Sequence, residues 1–386
     1  MIEYYEPFYV YGEGQLDIFR IDYAYKDQIE KVNFGFGTAN NCHVNINCPE
    51  GDPYQTIKRG VCRIRMTLEE GTGWCSGSLI NNTAEDGHPF VLSAYHCQLG
   101  FTPIYDLWRL DFNYESSTCD NPFNEPSFQS VLGVNELAGR EQSDFLLLES
   151  MNSIPPNYLV YFNGWDRSDG APDSSVLISH PSGDLKKVAI DYDPSIVFPT
   201  SINWNNGVTT PPNHHIRSQF DLGSFEVGSS GGMLFNEAHL VVGQLHGGIE
   251  GCTEAITYNG RFYQSWDSGQ DSTENLDYWL DPLGTGVMTL GGYEPPLPSM
   301  ATISGRVATE PGLGVGEVTV VLSGFLDQTV MTDSMGEYSF SDLPIGEFYQ
   351  IQYFKDTARI DNGVTTVDNV FIQRHILGIE PFTSPY

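Results

Sequence analysis

The chain is poor in positive charge. Its 386 residues hold 18 Lys and Arg against 50 Asp and Glu, a formal net charge of −32. That balance excludes a nucleic-acid partner, because phosphate binding needs clustered cations. It also speaks against anionic membrane surfaces and describes a self-repelling, soluble surface. Long apolar runs are missing as well. None reaches the roughly 18 residues of a membrane-spanning helix, so no membrane insertion is expected. No CxxC pair occurs, which excludes a zinc ribbon or a thioredoxin-type redox motif. The opening "MIEYYEPFYV" carries Glu3 and Glu6 and lacks the basic start and apolar core of an export signal.

Other features are abundant. Hydrophobic residues make up 40% and aromatics 13%, enough for a packed core and too much for a disordered chain. The 40 glycines and 23 prolines break the apolar stretches into short runs, which points to an all-β architecture. The length suits two or three domains. Seven cysteines are present: Cys42, Cys48, Cys62, Cys75, Cys97, Cys119 and Cys252. Six of them would make three disulfides with one left over, which suits an exported protein. The missing leader leaves two readings, a protein that stays inside or a sequence that begins after its export signal.

Several boundaries are legible. Residues 1–40 read as the end of a pro-region or an N-terminal extension, with "QLDIFRIDYAY" as one or two strands. Residues 41–293 form a domain dense in short strands, among them "RGVCRIRMTL", "FVLSAYHC", "DFLLLES", "LVVGQLHGG" and "GVMTL". The Gly- and Pro-rich "GGYEPPLPSM" marks a linker, placed at 294–300. Residues 301–354 alternate as strands joined by Gly and Asp turns, the pattern of a small β-sandwich. The last piece, 355–386, changes period. Val367, Val370, Phe371 and Ile376 predict a short amphipathic helix that stops at Gly378.

The stretch "EVGSSGGMLF" at 226–235 fits a slack connector or a rigid turn around a nucleophile. A serine hydroxyl attacks only with a base beside it and a third group to orient that base. Glycines free the backbone amides to converge on a developing oxyanion. His96, closing "FVLSAYHC", is the candidate base. Asp144, opening the apolar run of "SDFLLLES", is the candidate orienting acid, since a buried carboxylate there needs a partner. His96, Asp144 and Ser230 follow one another in the order of the chymotrypsin-type triad.

Together with these residues, "CHVNINCPEGD", "CSGSLINNTAEDGHPFVLSAYHC", "NGWDRSD", "GSSGGMLF", "VGQLHGG" and "YWLDPLGTG" make a long ordered series. The series closely resembles secreted bacterial lysyl endopeptidases, which are chymotrypsin-fold serine proteases, over about residues 41–292. The resemblance implies a double β-barrel, secretion, and a triad of His96, Asp144 and Ser230. It places the oxyanion hole at the N–H groups of Gly228 and Ser230. It implies disulfides Cys42–Cys252, Cys48–Cys119 and Cys75–Cys97, with Cys62 a buried free thiol. His246 matches a histidine near the active site, and Trp204 is a candidate for the same substrate pocket.

One departure bears on specificity. The family's S1 aspartate falls near Thr257 in "CTEAITYNGRFYQSW", and Glu254 is the nearest acid. A pocket without its anion favours uncharged P1 side chains, so strict lysine cleavage is not expected. His214 and His215 lack a third ligand at sensible spacing, and no metal site or cofactor is expected. Residues 301–354 resemble carboxypeptidase-regulatory-like or Cna-B-like sandwich modules, which suggests contact with a cell surface or carbohydrate. The end resembles half a dockerin repeat. Its calcium ligands would be Asp361, Asn362, Thr366 and Asp368, but Ala358 and Ile360 occupy upstream ligand positions. The expected fold is thus all-β: a chymotrypsin-like double β-barrel, an Ig-like or transthyretin-like sandwich and a short C-terminal helix. The expected function is that of a secreted serine endopeptidase acting on proteins or peptides. The competing reading is a catalytically silent, protease-like adhesion or binding protein.

Overall fold

A computed structural model describes residues 35–296, 299–324, 327–345, 348–355 and 366–381. The strand expected in "QLDIFRIDYAY" and the proposed calcium positions Asp361 and Asn362 lie outside the described residues. The chain divides into two compact units, the first ending at Pro296.

The first unit opens with a seven-stranded antiparallel sheet. Its strands are β1 (Val61–Leu68), β2 (Gly71–Leu79), β3 (Phe90–Ala94), β4 (Arg109–Phe112), β5 (Gln129–Leu132), β6 (Val134–Arg140) and β7 (Phe145–Ser150). They lie in the order β5-β4-β1-β2-β3-β7-β6. Period-2 alternation gives this sheet one face that packs over a core. Cys62, Ile64, Met66 and Leu68 of β1 face inward with Val91, Leu110, Phe112, Leu146 and Leu148. The opposite parity of β7, Phe145 and Leu147, belongs to a different cluster with Trp165, Phe235 and Phe262. Strand β7 is therefore buried on both faces, which is why "FLLL" reads as a continuous apolar run. Each such side chain contributes roughly 1.5–3 kcal/mol on burial.

The second sheet has ten strands. Its central members are β8 (Ser175–Ser179), β9 (Lys187–Asp191), β10 (His215–Phe220), β11 (Met233–Phe235), β12 (Val241–Ile249) and β13 (Ala255–Arg261). They run in the order β9-β8-β11-β12-β13-β10. Leu177, Ala189, Ile216, Phe220, Leu234 and Leu245 fill its interior. The cluster around Trp165 and Phe235 joins the two sheets, so the two barrels share one hydrophobic seam. Three disulfides staple this unit: Cys42–Cys252, Cys48–Cys119 and Cys75–Cys97. Cys62 is a free, buried thiol, pushed up to about 12 by burial.

Among its described residues the second unit has five strands: β14 (Met300–Arg306), β15 (Thr319–Gly324), β16 (Gln328–Met331), β17 (Glu337–Pro344) and β18 (Tyr349–Phe354). The β14–β17 pair and the β16-β15-β18 sheet enclose Val318, Val320, Leu322, Phe340 and Leu343. An α-helix follows at Thr366–Ile376. It ends as its sequence predicts, with Gly378 at φ +68° and the Ile379 N–H donating to the Arg374 carbonyl. The architecture is all-β, a chymotrypsin-like double barrel followed by a small β-sandwich and a short helix.

Candidate active site

Three segments meet at the seam between the barrels. His96 sits in the single turn Tyr95–Cys97 that closes β3. The neighbouring Cys97 is tied to Cys75 of β2, so the turn is anchored on both sides. Asp144 stands one residue before β7 in a left-handed conformation, φ 54°, which aspartate tolerates better than most residues. Its turn is pinned from the second barrel, where the Gln244 Nε2–H donates to the Ser143 carbonyl at 2.8 Å. Arg140 adds bonds to Ser143 Oγ and to the Gln264 carbonyl. Ser230 lies in the turn before β11. The Ser229 N–H donates to the Glu226 carbonyl at 2.9 Å, and the Gly232 N–H to the Ser229 carbonyl at 2.8 Å. The first barrel grips the same turn: the Ser76 N–H donates to the Ser230 carbonyl at 2.7 Å, and Ser76 Oγ to the Gly228 carbonyl at 2.9 Å.

The side chains converge. His96 Nδ1 is 2.9 Å from Asp144 Oδ2, and the His96 backbone N–H donates to Asp144 Oδ1 at 2.8 Å. His96 Nε2 is 2.8 Å from Ser230 Oγ. An ionised carboxylate only accepts, so Nδ1 carries the proton and Nε2 is left to accept from the serine hydroxyl. Burial works against a charged His96, but the Asp144 charge and hydrogen bond prevail and raise its pKa above the ordinary value. Burial likewise pushes the Asp144 carboxyl up, yet His246, His96 and the bonds from His96 hold it below the usual aspartate range. The N–H groups of Gly228 and Ser230 donate to no protein acceptor among the described residues.

A pair of histidines, His246 and His215, backs His96. His246 stacks on His96, ring centroids 4.9 Å apart, and on Trp204 at 3.6 Å. Its Nδ1 lies 3.5 Å from Asp144 Oδ2 and 3.0 Å from His215 Nε2. Burial drives both imidazoles down, His246 to about 4 and His215 to about 3, so both are neutral near pH 7. His96, Asp144 and His246 bring ligand-type atoms within 4.8 Å of one another. The two rings are only 13° from parallel, so their in-plane lone pairs do not converge on one ion. His214 turns away, with Nδ1 at 3.0 Å from the Pro212 carbonyl.

A cavity of about 310 Å³ opens beside Ser230. Trp204, His246, Phe225, Val227, Leu245, Glu226 and Glu250 are among its walls. Trp204 and His246 thus lie where sequence reasoning sought a pocket. Thr257 does not line it. It is fully buried within β13, and its hydroxyl accepts from Asn259 Nδ2 at 3.0 Å. Glu254 is exposed and also stands outside the lining. Sequence reasoning missed the two carboxylates that do line the cavity, Glu226 and Glu250. It also missed His43, whose Nε2 is 2.6 Å from Glu226 Oε1. No spacing rule links these residues.

Two barrels joined by a seam, with a serine, a histidine and an aspartate meeting there, define the serine-protease fold class. The lysyl endopeptidase C-terminal domain matches residues 36–264, more than half of the chain, and the chain belongs to that family. Solved structures show more distant likeness. A tripeptide complex of the HtrA-type protease AlgW is 15% identical, with TM-score 0.37 over 54% of this chain. The chain spans 57% of that protease, less than two thirds of its length. The active form of the Rv3671c protease from M. tuberculosis is 13% identical, with TM-score 0.36, 54% of this chain and 78% of that one. The MamO protease domain from Magnetospirillum magneticum is 11% identical, with TM-score 0.37, 56% of this chain and all of that one.

Proposed function

We propose that this protein is a secreted serine endopeptidase that cleaves proteins or peptides through an acyl-enzyme. The observation that carries the reading is the unbroken line Asp144 Oδ2, His96 Nδ1, His96 Nε2 and Ser230 Oγ, with spacings of 2.9 Å and 2.8 Å. His96 removes the Ser230 proton as Oγ attacks the scissile carbonyl carbon. Asp144 keeps the imidazole in the right tautomer and stabilises the imidazolium that forms. The unengaged N–H groups of Gly228 and Ser230 stabilise the oxyanion, a contribution of about 3–4 kcal/mol per donor in such sites. His96 then protonates the leaving amine. In the second half it takes a proton from water, whose oxygen attacks the acyl carbon, and gives that proton to Ser230 Oγ as the acyl bond breaks. No cofactor or metal takes part.

The substrate binds in the cavity walled by Trp204 and His246. The P1 preference is not strictly lysine: the family's acidic position falls near Thr257, outside that cavity, and of the two acids at the cavity wall, Glu226 and Glu250, the first is engaged by His43 and Ser182. Three disulfides suit an oxidising, extracellular setting. The C-terminal sandwich serves as a cell-surface or carbohydrate contact module. Digestion of a mixed peptide library, read by mass spectrometry beside Ser230→Ala, tests the activity and reports P1 together. Ser230-dependent cleavage at a defined P1 set is expected. A library left intact by the wild-type protein would favour the silent binding protein instead.

A further inference from the structure

The first barrel buries a whole guanidinium. Arg63 of β1 is 2% exposed and stands directly opposite Asp111 of β4. Its Nε donates to Asp111 Oδ2 at 2.9 Å, and its Nη2 lies 2.8 Å from the same oxygen. The guanidinium carbon is 3.6 Å from the centre of the Tyr114 ring and 4.5 Å from that of Trp74. A charge this deep is costly alone, and a carboxylate with two aromatic faces offsets that cost. One arm of the fork is left over. Its Nη1 donates to the Gly183 carbonyl, in a loop of the second barrel, at 2.7 Å.

That carbonyl belongs to a turn with an uncommon backbone. Ser182 has φ 55° and ψ 18°, and Gly183 follows at φ 68°. The left-handed region is strained for serine, so surrounding contacts must hold the turn in place. Arg63 is one such contact. Trp74 is another, since a Cβ on Gly183 would lie 2.7 Å from Trp74 Cγ. The turn then fixes a peptide plane. The Ser182 N–H donates to the Val227 carbonyl at 2.7 Å. In a trans peptide the carbonyl and the following N–H point in opposite directions. Holding the Val227 carbonyl on Ser182 therefore aims the Gly228 N–H away from the loop. Gly228 also packs on the same amide: a Cβ there would lie 3.0 Å from the Ser182 nitrogen.

We propose that Arg63 is a positioning residue of the oxyanion hole. Through the Ser182–Gly183 turn it locks the Val227–Gly228 peptide with its N–H toward the substrate carbonyl. The inference rests on the reading of Ser230 as the nucleophile and Gly228 as an oxyanion donor. Arg63 bonds to Asp111 and Gly183, and to no member of the triad among the described residues. Loss of the Nη1 bond lets the turn relax and the peptide rotate, which takes the Gly228 N–H off the oxyanion. The charge that this N–H meets develops only in the transition state, so kcat rather than KM carries the effect. Lysine is no substitute. Its ammonium is a single point and does not span Asp111 and Gly183 as the planar fork does.

The test uses the full chain and the peptide that the wild-type protein cuts fastest from a mixed library. Competent sites are counted by complete fluorophosphonate incorporation at Ser230. Arg63→Met leaves Asp111 paired with Arg109, whose Nη2 donates to Asp111 Oδ2 at 3.0 Å. Arg63→Lys keeps the charge and loses the fork, and it decides the matter where Arg63→Met fails to fold. Per competent site, kcat is expected to fall at least about tenfold in each, toward the roughly 10²–10³-fold loss of a missing oxyanion donor, with KM little changed. The aldehyde of the same peptide, which forms a tetrahedral adduct on Ser230, is expected to bind more weakly by a similar factor. The acid limb of kcat/KM keeps its midpoint, because the His96–Asp144 pair is untouched. A purely structural role would lower the number of competent sites and leave kcat per site and aldehyde affinity unchanged. That result overturns the proposal and leaves the hydrolase reading intact. A fall in kcat without a loss of aldehyde affinity overturns it too, as does an equal loss in Arg109→Met, which keeps Arg63 on both its partners. A wild-type protein that takes no fluorophosphonate on Ser230 overturns the nucleophile reading and the positioning role with it.

Discussion

Asp144 accepts two hydrogen bonds from the same residue, one from the His96 backbone N–H at 2.8 Å and one from the His96 ring at 2.9 Å. The pair fixes both the position of the turn and the orientation of the imidazole. Replacing Asp144 by Asn keeps the shape and allows the wrong tautomer. The expected result is a loss of about 10⁴-fold in kcat with KM little changed, measured by steady-state peptide hydrolysis.

The pH profile follows from the same pair. His96 acts only as the neutral base, and its pKa is raised against the opposing effect of burial by the Asp144 charge and hydrogen bond. The acid limb of kcat/KM is therefore expected to have its midpoint above the ordinary histidine value of about 6.5. Asp144→Asn moves that midpoint down. The raised His96 pKa stabilises the fold at low pH, an effect that fades as pH rises through the folded value. The lowered Asp144 pKa stabilises it above the unfolded value, and that part is lost as pH falls. Melting curves across pH check both signs.

Gly231, directly after Ser230, has φ +77° and packs where a Cβ would collide with the Ser76 carbonyl and Ser93 Oγ of the first barrel. Gly231→Ala meets both a strained backbone and a steric clash. A destabilisation of roughly 1–3 kcal/mol from backbone strain alone is expected, visible in denaturant melts. The displaced Ser230 should also lose its bond to His96, with a fall in the rate of fluorophosphonate labelling.

The Cys75–Cys97 disulfide closes a loop beside the base, with a sequence separation of 22. Replacing both cysteines by alanine is expected to lower stability by ~3 kcal/mol. Because Cys97 adjoins His96, kcat should fall more than KM rises. Urea melts and peptide kinetics on the double variant separate the two effects.

Glu226 lines the cavity and also holds the amino-terminal segment. Burial pushes its carboxyl up, but the bonds from His43, Asn40 and Ser182 win and bring it down to about 2. Its contribution to stability is then present above the ordinary glutamate range and lost as pH falls toward 2. Glu226→Gln should flatten that acid limb of the melting curve.

Much of this arrangement was legible in the chain. The apolar run in "DFLLLES" announced a strand, though not that both its faces are buried, and the order of His96, Asp144 and Ser230 announced the cluster at the seam. The Gly- and Pro-rich stretch near Pro296 and the stop at Gly378 were readable from local chemistry. Contacts set by the barrel closure were not. Asn40 and Glu226 are 186 positions apart, and no pattern of spacing joins them. The stack of Trp204 on His246, with His215 behind it, brings together three separate strands and loops. Thr257 illustrates the limit of motif matching: alignment gives a position along β13, whereas the alternation of side chains on that strand sets its hydroxyl beside Asn259, two residues on, and off the cavity wall.

The most direct measurement is the intact mass of the protein after reaction with a fluorophosphonate, with the modified peptide sequenced. One adduct on Ser230 is expected, absent in Ser230→Ala and strongly slowed in His96→Ala. No adduct on the folded protein, or an adduct that persists when Ser230 is replaced, would contradict the assignment of Ser230 as the nucleophile.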